Sequence, residues 1–172
     1  MTGVQTCALP IFIFLFFGRI VAVDGSSMYA TLHNNDKLIV SNLFYEPEQG
    51  DVIVFQTDAF GEQLLVKRVI ATGGQTVDID FETGVVYVDG AALQEDYVFE
   101  PTYTQEDFSG EITVPEGCLF VMGDNRNAST DSRSARVGLV DERSVIGKVY
   151  LVAFPGGDEN EARDWSRVGL VH

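Results

Sequence analysis

Cationic residues are scarce in this 172-residue sequence: 11 Lys and Arg stand against 26 Asp and Glu, for a formal net charge of −15. A nucleic-acid backbone would be repelled by such a chain, which excludes nucleic-acid binding. Cysteine is limited to Cys7 and Cys118, which form neither a CxxC pair nor a metal-ligand spacing. Cys118 opens the apolar stretch Cys118-Leu119-Phe120-Val121 and reads as an inert, buried thiol. The two histidines, His33 and His172, are far apart, so no metal site and no cofactor is expected. No apolar run reaches the ~20 residues that a membrane-spanning helix needs. The greasiest stretch, from Ala8 to Phe17, is cut off by Gly18 and Arg19, and it lacks the basic flank of a secretory leader. Internal repeats and long helical periodicity are missing as well.

What remains is a chain of one domain's length that is 45% hydrophobic, with 17 Gly and 12 Phe. Short β-branched runs alternate with turn residues. Ile20 to Val23, Lys37 to Ser41, Val52 to Phe55 and Leu64 to Ala71 read as strands. Val77 to Asp80 and Val85 to Val88 flank Thr83-Gly84 as a hairpin with apolar positions at period two. Further strands are expected at Ile112 to Val114, Cys118 to Met122 and Val145 to Phe154. Residues 94–111 are acidic and aromatic without a period, as in a covering loop. The expected fold is mostly β, a barrel or coiled antiparallel sheet with few short helices. Residues 20–172 form one domain on this reading, with about 74–115 as a small inserted subdomain.

Residues 1–11 resemble a translated sequencing adaptor more than a protein start, so they are read as non-native. Residues 12–19, with the run Phe12-Ile13-Phe14-Leu15-Phe16-Phe17, are then the remnant of a transmembrane anchor.

Two places carry chemistry. Gly25-Ser26-Ser27-Met28 offers hydroxyls among small and apolar residues, and Leu65-Val66-Lys67-Arg68-Val69 puts a lysine inside a strand. A serine needs a neighbour to remove its proton. His33 lies in a polar Asn-Asn-Asp turn and His172 ends the chain, so a Ser-His-Asp triad is disfavoured. A free lysine, with a pKa near ~10.4, is useless as a base at neutral pH, and burial would have to lower it to about 7–8. The alternative is a lysine that snorkels to solvent, and the strand pattern alone does not choose between them. The loop Gly123-Asp124-Asn125-Arg126-Asn127-Ala128-Ser129-Thr130-Asp131-Ser132-Arg133 packs amides, hydroxyls and alternating charges between two apolar strands. It suits an internally bonded corner able to orient an amine.

The segments SSMYATL, LLVKRVIATGG, FVMGDNRNASTDSR and VIGKVYLVAFP, in this order, resemble the bacterial type I signal peptidases, with Val23-Asp24-Gly25 similar to the Gram-positive branch. The resemblance implies the β fold of that family and a membrane-associated serine endopeptidase. It would remove signal peptides from secreted preproteins after small residues at −1 and −3. Ser27 matches the nucleophile, with Ser26 a decoy, and Lys67 the general base. Ser129 matches the hydroxyl that orients the lysine. Asp124, Asn125, Asp131 and Arg133 match the residues that support the loop, and Arg68 the companion of the lysine. Val21, Val23, Met28, Leu32, Leu38, Leu65 and Val66 match the substrate-pocket lining. The implied partners are signal peptides and the lipid bilayer, with the catalytic domain a monomer on the extracytoplasmic face of the cell membrane.

Three positions depart from the family pattern. Gly25 stands where some members carry an oxyanion-binding serine, Ala30 where a proline is usual, and Ala128 where a polar residue is common. The other readings open to this sequence are a self-cleaving Ser-Lys peptidase of the repressor type and a catalytically impaired peptide-binding β domain.

Overall fold

The computed structural model describes residues 18–61, 63–157 and 163–172. The adaptor-like segment 1–11, and residues 12–17 of the expected anchor remnant, lie outside them. Twelve strands follow one another: β1 (Arg19–Ala22), β2 (Lys37–Ser41), β3 (Val52–Thr57), β4 (Gln63–Ala71), β5 (Thr76–Asp80), β6 (Val85–Val88), β7 (Ala91–Ala92), β8 (Ile112–Thr113), β9 (Cys118–Met122), β10 (Val140–Asp141), β11 (Val145–Phe154) and β12 (Gly169–Leu170). The helical content of the described residues is three single 3-10 turns at Arg126–Ala128, Glu142–Ser144 and Trp165–Arg167. None of their helices is long and apolar enough to cross a membrane. The mostly β, antiparallel character matches the expectation.

The larger sheet runs β1-β2-β11-β3-β4-β9-β10, with β12 added on β11. It coils but does not close, since β1 and β10 are its ends. Strand β11 makes the turn of the coil. Its first part pairs with β3 through Val145, Gly147 and Lys148, and its remainder with β2 from Lys148 to Phe154. Register shifts along β11 bend it from one partner to the other.

A smaller sheet of order β7-β6-β5-β8 is built between β4 and β9, which pair directly with each other. Its hydrophobic face, with Val77, Ile79, Val86 and Val88, packs on Ile70, Phe120 and Met122 of the larger sheet. The two-residue strands β7, β10 and β12 had no sequence signal, being too short to show a period. Elsewhere the expected strands are found within two residues of their expected ends.

One detail of the pairing matters for the site. Strand β9 covers β4 only from Arg68 to Ala71, whereas β3 covers it from Gln63 to Arg68. The first half of β4 therefore keeps one edge without a strand partner among the described residues. The outer edge of β1 is likewise unpaired at the end of the sheet.

Candidate active site

The loop that carries Ser26 and Ser27 follows β1. Its backbone is held by Tyr29 N–H donating to Ser26 O at 3.0 Å and Leu32 N–H donating to Met28 O at 2.8 Å. Met28 and Leu32 face inward to a core with Leu38, Val40, Val52 and Val54. That apolar anchoring leaves Ser26 exposed and turns Ser27 toward β4. Despite Ala30 in place of proline, the loop is a bonded turn.

Lys67 lies in β4, opposite Ile53 of β3, and is only 2% exposed. Its Nζ donates to Ser27 Oγ at 2.7 Å. The sequence separation of 40 residues between them is bridged by the sheet. Burial lowers the Lys67 pKa to about 8, against an opposing pull from the carboxylates of Asp131 and Asp124; the Arg133 guanidinium acts in the same direction as burial. The choice left open by the strand pattern falls to the buried amine and against snorkelling.

The 123–133 loop closes over this pair. Asn125 donates through its backbone N–H to Ser27 O, at 3.1 Å, and through Nδ2 to Ser26 O, also at 3.1 Å. Asp124 accepts from Arg68 Nε at 2.8 Å and Nη2 at 2.7 Å, and from the Thr31 hydroxyl. Arg68 and Asp124 are both fully enclosed, and the guanidinium lies 3.9 Å from the centre of the Tyr97 ring. One ion pair thus joins the strand of the lysine, the loop and the far end of the nucleophile turn. Asp131 accepts from Gly123 N–H at 3.0 Å and from Arg133 Nε and Nη2, each at 2.9 Å. Arg133 also donates to the carbonyls of Thr104 and Arg126.

Ser129 departs from its expected role. Its hydroxyl is buried but has no hydrogen-bond partner among the described residues, so the bond to Lys67 is not formed. The physical reason is local. The amine is turned to Ser27, and the Ser129 side chain fills the space above Gly123. A Cβ at Gly123 would fall 2.2 Å from Ser129 Oγ and 2.5 Å from Ser27 O. Only glycine allows the loop to come this close.

A cleft of about 360 Å³ leads to Ser27 and Lys67 between the two unpaired edges, β1 and the first half of β4. Val21, Val23, Met28, Leu65 and Val66 line it, as the family pattern implied. Leu32 and Leu38 do not: both have no exposed surface and belong to the core beneath. Leu38 is covered because its face of β2 packs against Met28, Leu32, Val52 and Val54. The sequence reading missed Ile20, Ala22 and Leu64, which also line the cleft. Alternation along an edge strand whose two faces are both used would have suggested them. It also missed Arg126, which is buried and donates to Gly123 O, Thr102 Oγ1 and Glu95. Gly25, at φ +97°, has no side chain to donate, and its N–H is given to Asn34 Oδ1, so it supplies no oxyanion donor.

Comparison with known proteins supplies the family. The family model described as "Signal peptidase, peptidase S26" matches residues 1–154. The "Probable signal peptidase I-1" of Synechocystis sp. is 37% identical over 157 residues, covering 86% of this chain and 74% of that protein. Signal peptidase I of Bacillus amyloliquefaciens is 35% identical over 167 residues, covering 91% of this chain and 84% of the relative. The crystal structure of a signal peptidase I from Enterococcus faecalis V583 aligns with a TM-score of 0.49 at 32% identity, over 60% of this chain and 97% of that one. With a family match across most of its length and relatives this similar, the chain belongs to the signal peptidase family, peptidase S26, and is a serine endopeptidase.

Proposed function

We propose that the chain removes signal peptides from secreted preproteins with Ser27 as nucleophile and Lys67 as general base. The observation that carries this reading is the 2.7 Å contact between Lys67 Nζ and Ser27 Oγ in a buried setting that brings the lysine pKa to about 8. In the neutral amine the nitrogen lone pair accepts the Ser27 proton as Oγ bonds to the scissile carbonyl carbon. The resulting oxyanion is met by the Ser27 backbone N–H. Lys67, now an ammonium, returns the proton to the departing amine, which leaves as the mature chain. Water then enters, gives a proton to Lys67 and hydrolyses the ester, and Ser27 recovers its hydrogen. Ser129 has a buried hydroxyl in want of a partner, a state that costs about 1–3 kcal/mol. It serves on this reading as a second acceptor for the amine once Lys67 is charged. Asp124, Asn125, Asp131 and Arg133 support the loop and do not touch the reacting atoms.

The signal peptide enters as an added strand between β1 and the free half of β4, the common mode for peptide recognition at sheet edges. Small residues at −1 and −3 meet walls formed by Val21, Val23, Met28, Leu65 and Val66. On this reading the domain works at the extracytoplasmic face of the cell membrane, and the apolar run Phe12 to Phe17 precedes β1, which begins at Arg19.

The test is cleavage in detergent of a preprotein peptide carrying Ala-x-Ala before the junction. Mass spectrometry should place the cut after the second Ala, and Leu at −1 should lower kcat/KM about a hundredfold. Cleavage elsewhere, or indifference to Leu at −1, contradicts the assignment.

A further inference from the structure

The cleft accounts for the peptide before the scissile bond and leaves open what meets the chain after it. Its walls run from Ile20 to Asp24, along β1 and the two residues after it, and along β4 from Leu64 to Lys67, and both reach the reacting pair at the same end. An extended peptide rises about 3.3 Å per residue, so this length holds roughly four residues. Whatever follows the scissile bond has to continue beyond the Ser27 end.

A row of aromatic rings is tied to the Ser27 backbone: Asn125 N–H donates to Ser27 O at 3.1 Å, and the carbonyl of its neighbour Asp124 accepts from Phe99 N–H at 3.3 Å. Tyr29 lies two residues past Ser27 and is 38% exposed. Its ring is 5.1 Å from that of His33 on one side and 5.1 Å, edge to face, from that of Phe99 on the other. Phe99 comes from the covering loop and is 56% exposed. Its backbone N–H donates to Asp124 O at 3.3 Å, which fixes it beside the residue paired with Arg68. Two residues earlier the same loop packs the half-buried ring of Tyr97 on Arg68. The loop is thus anchored by one ring and presents the next to solvent. None of the three rings lines the cleft. Their exposure is not required by the core, which Met28 and Leu32 already fill.

We infer that Tyr29 and Phe99 form a subsite for the mature part of the substrate, taking an apolar or aromatic side chain at the second or third residue after the cut. This rests on the functional reading above. Tyr29 follows the nucleophile by two residues, at most about 7 Å of chain, and its ring is 5.1 Å from that of Phe99. The second and third residues of an extended product lie at a comparable reach from the scissile carbonyl. Ring contacts of this kind favour a bulky apolar side chain over a small polar one by about three- to tenfold.

Two peptides identical through Ala-x-Ala, with Phe or Ser at both the second and third positions after the cut, test it in detergent. The wild type is expected to show a three- to tenfold higher kcat/KM for the Phe peptide. Phe99→Ser should remove that preference and leave the rate on the Ser peptide within twofold. Equal rates for the wild type on both peptides, or a preference that survives Phe99→Ser, overturn the subsite while leaving the enzymatic reading intact. An equal loss on both peptides also overturns it, because Phe99 then acts through the fold. Failure of the wild type to cut either peptide overturns the functional reading together with the subsite.

Discussion

Lys67→Met is expected to abolish cleavage and, at the same time, to make the protein more stable at neutral pH. The first effect follows from the dyad: with no base, Ser27 keeps its proton, and kcat falls by about 10⁴ or more, as it does in Ser27→Ala. Ser26→Ala should retain activity, since that side chain is exposed and only its carbonyl is used by the loop. The stability effect follows from the lowered pKa. A lysine at 10.5 when unfolded and at about 8 when folded binds its proton more readily in the unfolded chain. The cost to folding is fully present below pH ~8, and it disappears as the pH rises from there to 10.5. The difference corresponds to about 3 kcal/mol. Methionine keeps the volume and has no charge to desolvate. Urea unfolding at pH 7 should therefore show Lys67→Met as the more stable form by about 1–3 kcal/mol, with the gap closing toward pH 10. A variant less stable than the wild type at pH 7 would mean that the amine is not strained by burial.

Asp124→Ala should produce the largest loss of stability at the site. It leaves the Arg68 guanidinium, 1% exposed, without its carboxylate, although the Gly50 and His172 carbonyls still accept from Nη1. Removing one partner of a buried ion pair typically costs about 3–5 kcal/mol. For a domain of this size that is a fall in Tm of roughly 6–20 °C. Activity should drop as well, because the same residue holds Thr31 at the end of the nucleophile turn, and its neighbour Asn125 holds the Ser27 carbonyl. In what activity remains, the rising limb of the pH profile should move to lower pH, since the Asp124 carboxylate favours the charged lysine. A change in stability within about 0.5 kcal/mol would show that the pair does not brace the site.

Much of this architecture was legible in the sequence. Period-two runs such as Val85 to Val88 and the continuous apolar run of β3 locate strands directly, because each records which face is covered. The serine, the lysine and the polar loop were legible through motifs. What could not be read is what depends on pairing. That β9 stops at Arg68, leaving half of β4 open, is a matter of register between distant segments and leaves no local trace. The same holds for Leu32 and Leu38. They carry the apolar character of pocket residues, and only packing against distant segments, through Val52, Val54 and Val149, assigns them to the core. Arg126 looked like one more charge in a polar loop, yet it is enclosed, because its partner Glu95 arrives from the covering loop. Ser129 shows the limit from the other side: the position is right for the site, but the bond expected of it depends on rotamers that no sequence records.

If a buried, neutral lysine drives the reaction, the pH dependence of kcat/KM on a short Ala-x-Ala peptide must carry its titration. The rate should climb about tenfold per pH unit at low pH and level off above an apparent pKa of about 8, as Lys67 loses its proton. A rise centred near the ordinary lysine value of 10.5, or a rate that does not rise with pH at all, would rule out Lys67 as the base.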